Sequence, residues 1–382
     1  MIAKTRSLLK TLLLLVNIGT IIAYLSVCFV PFINTGEYWY FAFPGLIFPL
    51  IFFALLCFII LWAIFKSKWF WVSLIVMLLG IQQIISVFAF HFPKNFSQAK
   101  QANTLRVLQW NVSSWDENHK KNKQSKDEDT YRVEMMNLIE AQNADVLCFE
   151  EFFESDDTIY FNSNFSSIKK MGYPYHYFMP TVDFENDFKS GIAIFSKYPM
   201  IDSGQYNLET KIHHKDNSRI GEHLIYTDIK VNEKMFRIYA THLQSVHFDE
   251  SDYESLTRLK HAQDPGLEDS KTIVGKLKRG YVSRYEQAEL IEEKMKESPY
   301  PAIICGDFND VPNSSTYFKI KGDKKDAFLR KGSFIGRTFR FISPTLRIDY
   351  ILADKSFKVN QFQTIHVPYS DHYPVETDLL YQ

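Results

Sequence analysis

The chain has 382 residues, of which 46% are hydrophobic and 16% aromatic, enough for one large domain or two ordinary ones with a sizeable core. Its 43 basic and 44 acidic side chains nearly cancel, but residues 1–100 hold seven Lys or Arg and one acid, so the remainder is acidic, with 36 basic against 43 acidic residues. That balance argues against tight non-specific binding to nucleic acid, although a local basic patch would still permit a nuclease. Four cysteines in a chain of this length exclude a disulfide framework.

From the amino end, Thr11 to Ile33, Phe41 to Phe65 and Trp69 to Phe92 each run without Asp, Glu, Lys or Arg, and each is long enough to cross a bilayer. A buried core helix, or for the first run a cleaved signal peptide, fits three consecutive runs edged by Trp and Tyr less well. Residues 1–95 therefore read as an anchor of three transmembrane helices (about 11–33, 41–65 and 69–92). Lys4, Arg6 and Lys10 precede the first run and Lys66 and Lys68 separate the other two, whereas the loop "NTGEYWY" has no basic residue. The bias of Lys and Arg towards the cytoplasm then places the amino end inside and everything after Phe92 outside. Cys28 and Cys57 fall in these helices; Cys148 and Cys305 lie in strand-like runs and read as buried free thiols, with a bridge between them as the lesser alternative.

After a polar linker at 96–103, segments of β-type composition recur: "LRVLQWNV", "ADVLCFEE", "SGIAIFSK", "HLIYTDIKV", "FRIYATHL", "PAIICGDF", "RIDYILAD" and "YPVETDLL". Helical patterns intervene, clearest at Tyr131 to Gln142 and Arg284 to Lys296. Strands joined by both helices and hairpins predict two mixed sheets packed face to face with helices outside, an α/β (α+β) four-layer sandwich over residues 104–382. The polar stretch from Phe248 to Gly280 is longer than an ordinary connection, as expected of a segment that shapes a substrate site or of a disordered one.

Polar residues of one chemical type gather at the ends of these strands. "GDFND" presents Asp307 and Asn309 just past an apolar run, and "LQWNV" does the same with Asn111. "VLCFEE" carries Glu150 and Glu151, of which an alternating strand aims one at a shared site. "IYATHLQS" ends in His242, "LRIDYIL" interrupts an apolar run with Asp349, and "VPYSDHYPV" sets Asp371 beside His372. Singly each has a bland reading: a turn for Asp307, a salt bridge with Arg347 for Asp349, a core or surface histidine for His242.

Together, and in this order, "QWNV", "DVLCFEE", "GIAIFSKYPM", "ATHL", "GDFND", "RIDYIL" and "SDHYPV" give residues 104–381 a specific resemblance. The chain resembles the endonuclease/exonuclease/phosphatase superfamily of metal-dependent phosphoesterases, which includes pancreatic-type deoxyribonuclease, neutral sphingomyelinases and inositol polyphosphate 5-phosphatases. The resemblance implies that Glu151 is the principal carboxylate on Mg²⁺, with Mn²⁺ a substitute, that Asn111 stands beside it, and that Asp371 is a further metal contact. Glu150 stands where the family usually has Gln. Asp307 and Asn309 match the pair that handles the attacking water and the phosphoryl oxygen. His242 matches a histidine that contacts the phosphate or protonates the leaving group, and His372 one that hydrogen-bonds the phosphoryl group or acts as base, with Asp349 orienting its ring. Ser113 replaces the acid that the apurinic-site repair branch carries two residues after the Asn, so the resemblance points away from DNA repair.

The chemistry is coherent with that assignment, because an anionic ester needs a hard cation on oxygen ligands, an activated water and donors around the developing charge. The expected function is a membrane-anchored, Mg²⁺-dependent phosphoesterase acting outside the cytoplasm by in-line attack of water, on a phosphodiester for preference. Its substrate would be a lipid head group, a small phosphodiester or nucleic acid. An extracytoplasmic nuclease on DNA or RNA is the alternative. A catalytically inactive membrane-bound binding module, the alternative of another class, would have lost at least one of Glu151, His242, Asp307, Asn309, Asp349 and His372, and none is lost.

Overall fold

A computed structural model of the chain describes residues 2–117, 130–156, 161–184, 188–210, 221–246, 248, 250–260 and 267–381. Its amino-terminal part holds α1 (Ile2–Phe29), α2 (Phe43–Leu46), α3 (Phe48–Ile64), α4 (Trp69–Leu79) and α5 (Ile81–Val87). The sequence predicts three uninterrupted spans. The structure instead has one helix long and apolar enough by itself, Ser7–Phe32, and two pairs that reach spanning length only across a bend, 64° between Trp39–Leu46 and Phe48–Ile64 and 60° between Trp69–Leu79 and Ile81–Val87. The first bend follows from Pro49, which has no N–H to donate to the Gly45 carbonyl. That oxygen accepts from the Asn313 side-chain amide instead, at 3.2 Å. The second bend falls at Gly80, where Tyr24 crosses too closely for any side chain. Asn17 and Ser73 are buried and hydrogen-bonded between α1 and α4 at 3.2 Å, a polar contact of the kind that holds helices together in lipid and one that hydropathy does not flag.

The rest folds into the expected four layers. The strands are β1 (Thr104–Asn111), β2 (Val146–Glu154), β3 (Tyr175–Phe184), β4 (Phe188–Ser196), β5 (Met200–Asn207), β6 (His223–Val231), β7 (Lys234–His242), β8 (Ala302–Asp307), β9 (Lys325–Asp326), β10 (Asp349–Ala353), β11 (Lys358–Thr364) and β12 (Val375–Leu380). They form two six-stranded sheets in the orders β11-β12-β1-β2-β4-β3 and β5-β6-β7-β8-β10-β9. Both are mixed, since β1 and β2 run parallel, as do β7 and β8, among antiparallel neighbours.

Period-two alternation explains the layers, because each strand sends one set of side chains inward and the other outward. Val107, Cys148, Ile194, Ile238, Cys305 and Ile351 meet in the core between the sheets. The opposite faces pack on helices: Leu147 and Phe149 meet α6 (Arg132–Gln142), while Ile304 and Leu352 meet α9 (Leu267–Lys296) and α10 (Ser315–Lys321). Cys148 and Cys305 are free, buried thiols.

The helix expected from Arg284 begins at Leu267, and α8 (Glu250–Lys260) precedes it. The stretch from Phe248 to Gly280 is thus largely helical rather than a loop; residues 249 and 261–266 lie outside the described residues.

The membrane-type segments are docked on the sandwich. Thr35 hydrogen-bonds Ser315, Arg347 donates to the Ser86 carbonyl at 2.9 Å, and Ala89 pairs with Phe334 as a short β-bridge. Phe334 packs on Phe53 and Phe88, and Phe43 meets Tyr281 edge to face with ring centres 5.6 Å apart. The residues expected as a linker also pack: Arg106 lies over the Phe96 ring and donates to the Ser97 carbonyl at 2.8 Å.

Candidate active site

The placement of Asp307 follows from Gly306. An added Cβ there would collide with the backbone oxygen of Thr241, so the position lets β7 and β8 approach as only glycine allows. The register then sets His242 beside Asp307 across the parallel pair, and Asp349 beside Asp307 across the antiparallel one. Asp307 is 1% exposed, with its Oδ2 3.6 Å from Nε2 of both His242 and His372 and 3.2 Å from the Asn111 amide nitrogen. Its Oδ1 accepts from the Asn309 backbone N–H at 2.8 Å, and Asn309 is anchored through its side chain to the Leu243 carbonyl at 2.9 Å.

The choice between Glu150 and Glu151 is made by a β-bulge. The pairing of β2 with β4 shifts between Phe149 and Phe152, and Glu151 takes a left-handed φ of 51°. A bulge re-aims side chains and a non-glycine residue with positive φ is uncommon, so the strand is bent where the pocket needs a carboxylate. Glu151 reaches the pocket with its side chain 40% exposed, accepts from Asn111 at 3.1 Å and stands 4.0 Å from His242. Glu150 points into the sandwich, fully buried, and accepts from Gln109 at 2.7 Å. The same Gln109 nitrogen donates to Asp349 at 3.1 Å, tying the buried Glu150 to the carboxylate that holds His372.

His372 is seated from three sides. Its Nδ1 is 2.9 Å from Asp349, its backbone carbonyl accepts from the Trp110 indole at 3.0 Å, and its ring meets Phe339 edge to face at 5.0 Å. Asp349 therefore pairs with His372, and Arg347, the salt-bridge partner a bland reading gives it, is bonded to Asp326 at 2.7 Å. Asp371 lines the same pocket, with one carboxylate oxygen accepting from Ser370 at 3.1 Å.

Charge in this cluster is strongly perturbed. Burial pushes the Asp307 carboxyl up to about 6; the two histidines oppose that shift and Asp349 adds to it. Burial alone would lower both histidines, but Asp349 and Asp307 hold His372 well above its ordinary value, and Asp307, Glu222 and Glu151 raise His242. Burial, reinforced by Asp349, drives Glu150 well above the usual carboxylate range. Displaced values of this kind concentrate at functional sites.

The structure brings Asn111, Glu151, His242, Asp307, Asn309, Asp349, Asp371 and His372 to one pocket of about 190 Å³ and its immediate floor. Among the described residues, donor atoms of Asp307, Asp349 and His372 lie within 4.8 Å of one another, a group able to hold a metal. His372 spends its Nδ1 on Asp349, and the carboxylates that line the pocket are Glu151, Asp307 and Asp371, a hard set that suits Mg²⁺, Mn²⁺ or Ca²⁺ better than a softer ion.

Sequence reasoning missed the rest of the wall. Arg284, buried and bonded to Asp310 at 3.4 Å and to the Gln244 carbonyl at 3.0 Å, lines the pocket with Tyr253 and Tyr281. Leu46 lines it too, from the amino-terminal helices. The chain distance between these segments hides them, although the unusual length of the 248–280 stretch was a signal for Tyr253.

A sequence model described as the Endonuclease/Exonuclease/phosphatase family matches residues 108–372, and a domain of unknown function matches residues 10–87. No curated protein matches the chain. Among solved structures, an endonuclease/exonuclease/phosphatase from Beutenbergia cavernae is 18% identical with a TM-score of 0.53, covering 73% of this chain and 72% of its own. The catalytic domain of human nocturnin with bound sulfate is also 18% identical, with a TM-score of 0.50 and 74% and 95% covered. A relative from Bacteroides vulgatus gives 18%, 0.50, 73% and 99%. At that identity these likenesses speak for the sandwich alone.

Proposed function

The chain belongs to the endonuclease/exonuclease/phosphatase family, whose members hydrolyse phosphate esters, and on that premise we propose that it is a membrane-anchored, Mg²⁺-dependent phosphodiesterase working outside the cytoplasm. The observation that carries the reading is Asp307, a buried carboxylate with a histidine 3.6 Å away on either side and an open acidic pocket in front.

Glu151, Asn111 and Asp371 hold the cation, with Mn²⁺ able to replace Mg²⁺. Bound there, it supplies positive charge to the phosphoryl oxygens and acidifies water. Asp307 takes a proton from the attacking water, which Asn309 helps to hold, while the Asn111 amide keeps the carboxylate aimed. His372, locked by Asp349 with Nε2 towards the pocket, donates to a phosphoryl oxygen as charge builds. His242 gives its proton to the leaving alkoxide as the P–O bond breaks, and Asp307 then passes the proton it took from water to His242, which restores both groups.

In this reading residues 1–95 form the anchor, 96–103 the linker and 104–382 the catalytic domain. Each bent pair counts as one crossing. The basic residues at Lys66 and Lys68 support an amino end in the cytoplasm and a domain outside. The acidic domain favours a lipid or small diester over DNA or RNA.

The test is Mg²⁺-dependent release from bis-p-nitrophenyl phosphate by the full chain in detergent. Activity lost in His372→Ala and on chelation is the expected result. Turnover that survives chelation or the substitution overturns the assignment.

A further inference from the structure

The pocket has two unlike walls. One carries the carboxylates and histidines described above; the other is apolar, formed by Leu46, Val311, Phe339, Ile342, Leu346 and Ile348. Val311, Phe339, Leu346 and Ile348 pack as one cluster, with Leu46 against it. Leu46 ends α2 at the 64° bend, and α3, which follows, is uncharged and exposes Leu50, Phe53, Ile60 and Ile64. The apolar wall is therefore continuous with a segment fit to lie in lipid.

The surface around the pocket repeats the pattern. Phe341 is 50% and Ile342 37% exposed, and Ile342 holds a φ of 63°, an outlier for a β-branched residue. Phe334, exposed on the same domain, leans on Phe53 and Phe88 of the anchor. A sugar phosphate has no part to set against such a wall, and an oligonucleotide has base faces for Phe339 but none that match the aliphatic Leu46, Val311, Ile342, Leu346 and Ile348.

We infer that the substrate is a phosphodiester of a bilayer lipid, with its phosphate on the polar wall and the first carbons of its hydrocarbon part against Leu46, Val311, Phe339 and Leu346. This rests on the phosphodiesterase reading and adds the substrate class. The anchor then does more than tether the domain, since it supplies part of the pocket and brings that pocket to the lipid. About 190 Å³ is below the usual range for a drug-sized ligand, so the chains remain in the bilayer while the ester enters.

The test uses the full chain in detergent micelles with three kinds of probe: bis-p-nitrophenyl phosphate, long-chain lipids (dioleoylphosphatidylglycerol and sphingomyelin, to separate glycerol from sphingoid sources), and dibutanoylphosphatidylglycerol. The expected result is a kcat/KM at least about 100-fold higher for a long-chain lipid than for the dibutanoyl lipid, and a ratio that falls about tenfold in Leu46→Ser and in Ile342→Ser. Ile342→Ser, at a half-exposed position, keeps the test readable if Leu46→Ser misassembles. Cleavage of the soluble diester with no cleavage of lipid, or a ratio indifferent to chain length and to both substitutions, overturns the lipid inference and leaves the phosphodiesterase standing. No hydrolysis of any probe overturns both.

Discussion

Arg347 and Asp349 are two residues apart and equally buried, yet they belong to ionic clusters of opposite design. Arg347 is matched: it bonds Asp326 at 2.7 Å, Tyr317 donates to the same carboxylate at 2.8 Å, and the guanidinium lies over the Phe328 ring at 4.5 Å. The cluster around Asp349 is unmatched, with Asp307 and Asp349 neighbours across two strands, Glu151 close by, and histidines at 3.6 Å rather than in hydrogen-bond contact with Asp307. A matched buried pair holds a fold in place, and losing one partner leaves a stranded charge. An unmatched one is a standing cost to the fold that a bound cation can relieve.

The largest expected effect lies on the unmatched side. Asp307→Asn should cut turnover on the order of 10³-fold, while the thermal midpoint in the presence of EDTA stays level or rises because a crowded charge has gone. A fall in that midpoint would break the comparison. Arg347→Met should do the reverse, costing about 3–5 kcal/mol of stability by stranding Asp326 while folded molecules keep their activity; a midpoint unchanged from the parent protein would show that the pair is not structural. Glu151→Gln should raise the Mg²⁺ concentration for half-maximal rate about tenfold or more, and an unaltered titration would remove it from the ligand set.

The smallest effect sharpens the comparison by pH. Glu376, in β12 and away from the pocket, is pushed up to about 7 by burial against the bond it accepts from Gln363. The fold therefore holds a proton that the unfolded chain has released, and stability falls as pH rises from about 4.5 to about 7. Glu376→Gln should raise the thermal midpoint by a few degrees at pH 8 and leave it level at pH 4.5. An equal gain at both would show that the carboxyl is not held neutral.

The strands legible in the sequence are the eight interior ones. The four that went unread, β3, β5, β9 and β11, are the four sheet edges. An interior strand such as β1 or β8 is buried along its whole length and reads as an apolar run, whereas β5 and β11 are mostly half-exposed and carry little apolar signal. The site was legible for the same reason, since a polar residue closing an apolar run stands out. Which of Glu150 and Glu151 faces the pocket came only from the family resemblance, because alternation gives either answer and the bulge that decides it leaves no local mark. The bend at Ile47, which turned an expected straight span into part of a pocket wall, did have a mark in Pro49, but proline is tolerated in apolar spans and does not by itself announce a break.

The pairing of Thr104 with Leu380 joins the first strand of the sandwich to its last. Chains are made from the amino end, so α1 to α5, with Leu46, are complete while β1 is still without β12. His372 is delivered just before β12, and its backbone carbonyl takes the Trp110 bond only when that strand docks between β1 and β11. During biosynthesis the hydrolase is thus armed last, because the residue that completes its pocket arrives with the strand that closes the sandwich.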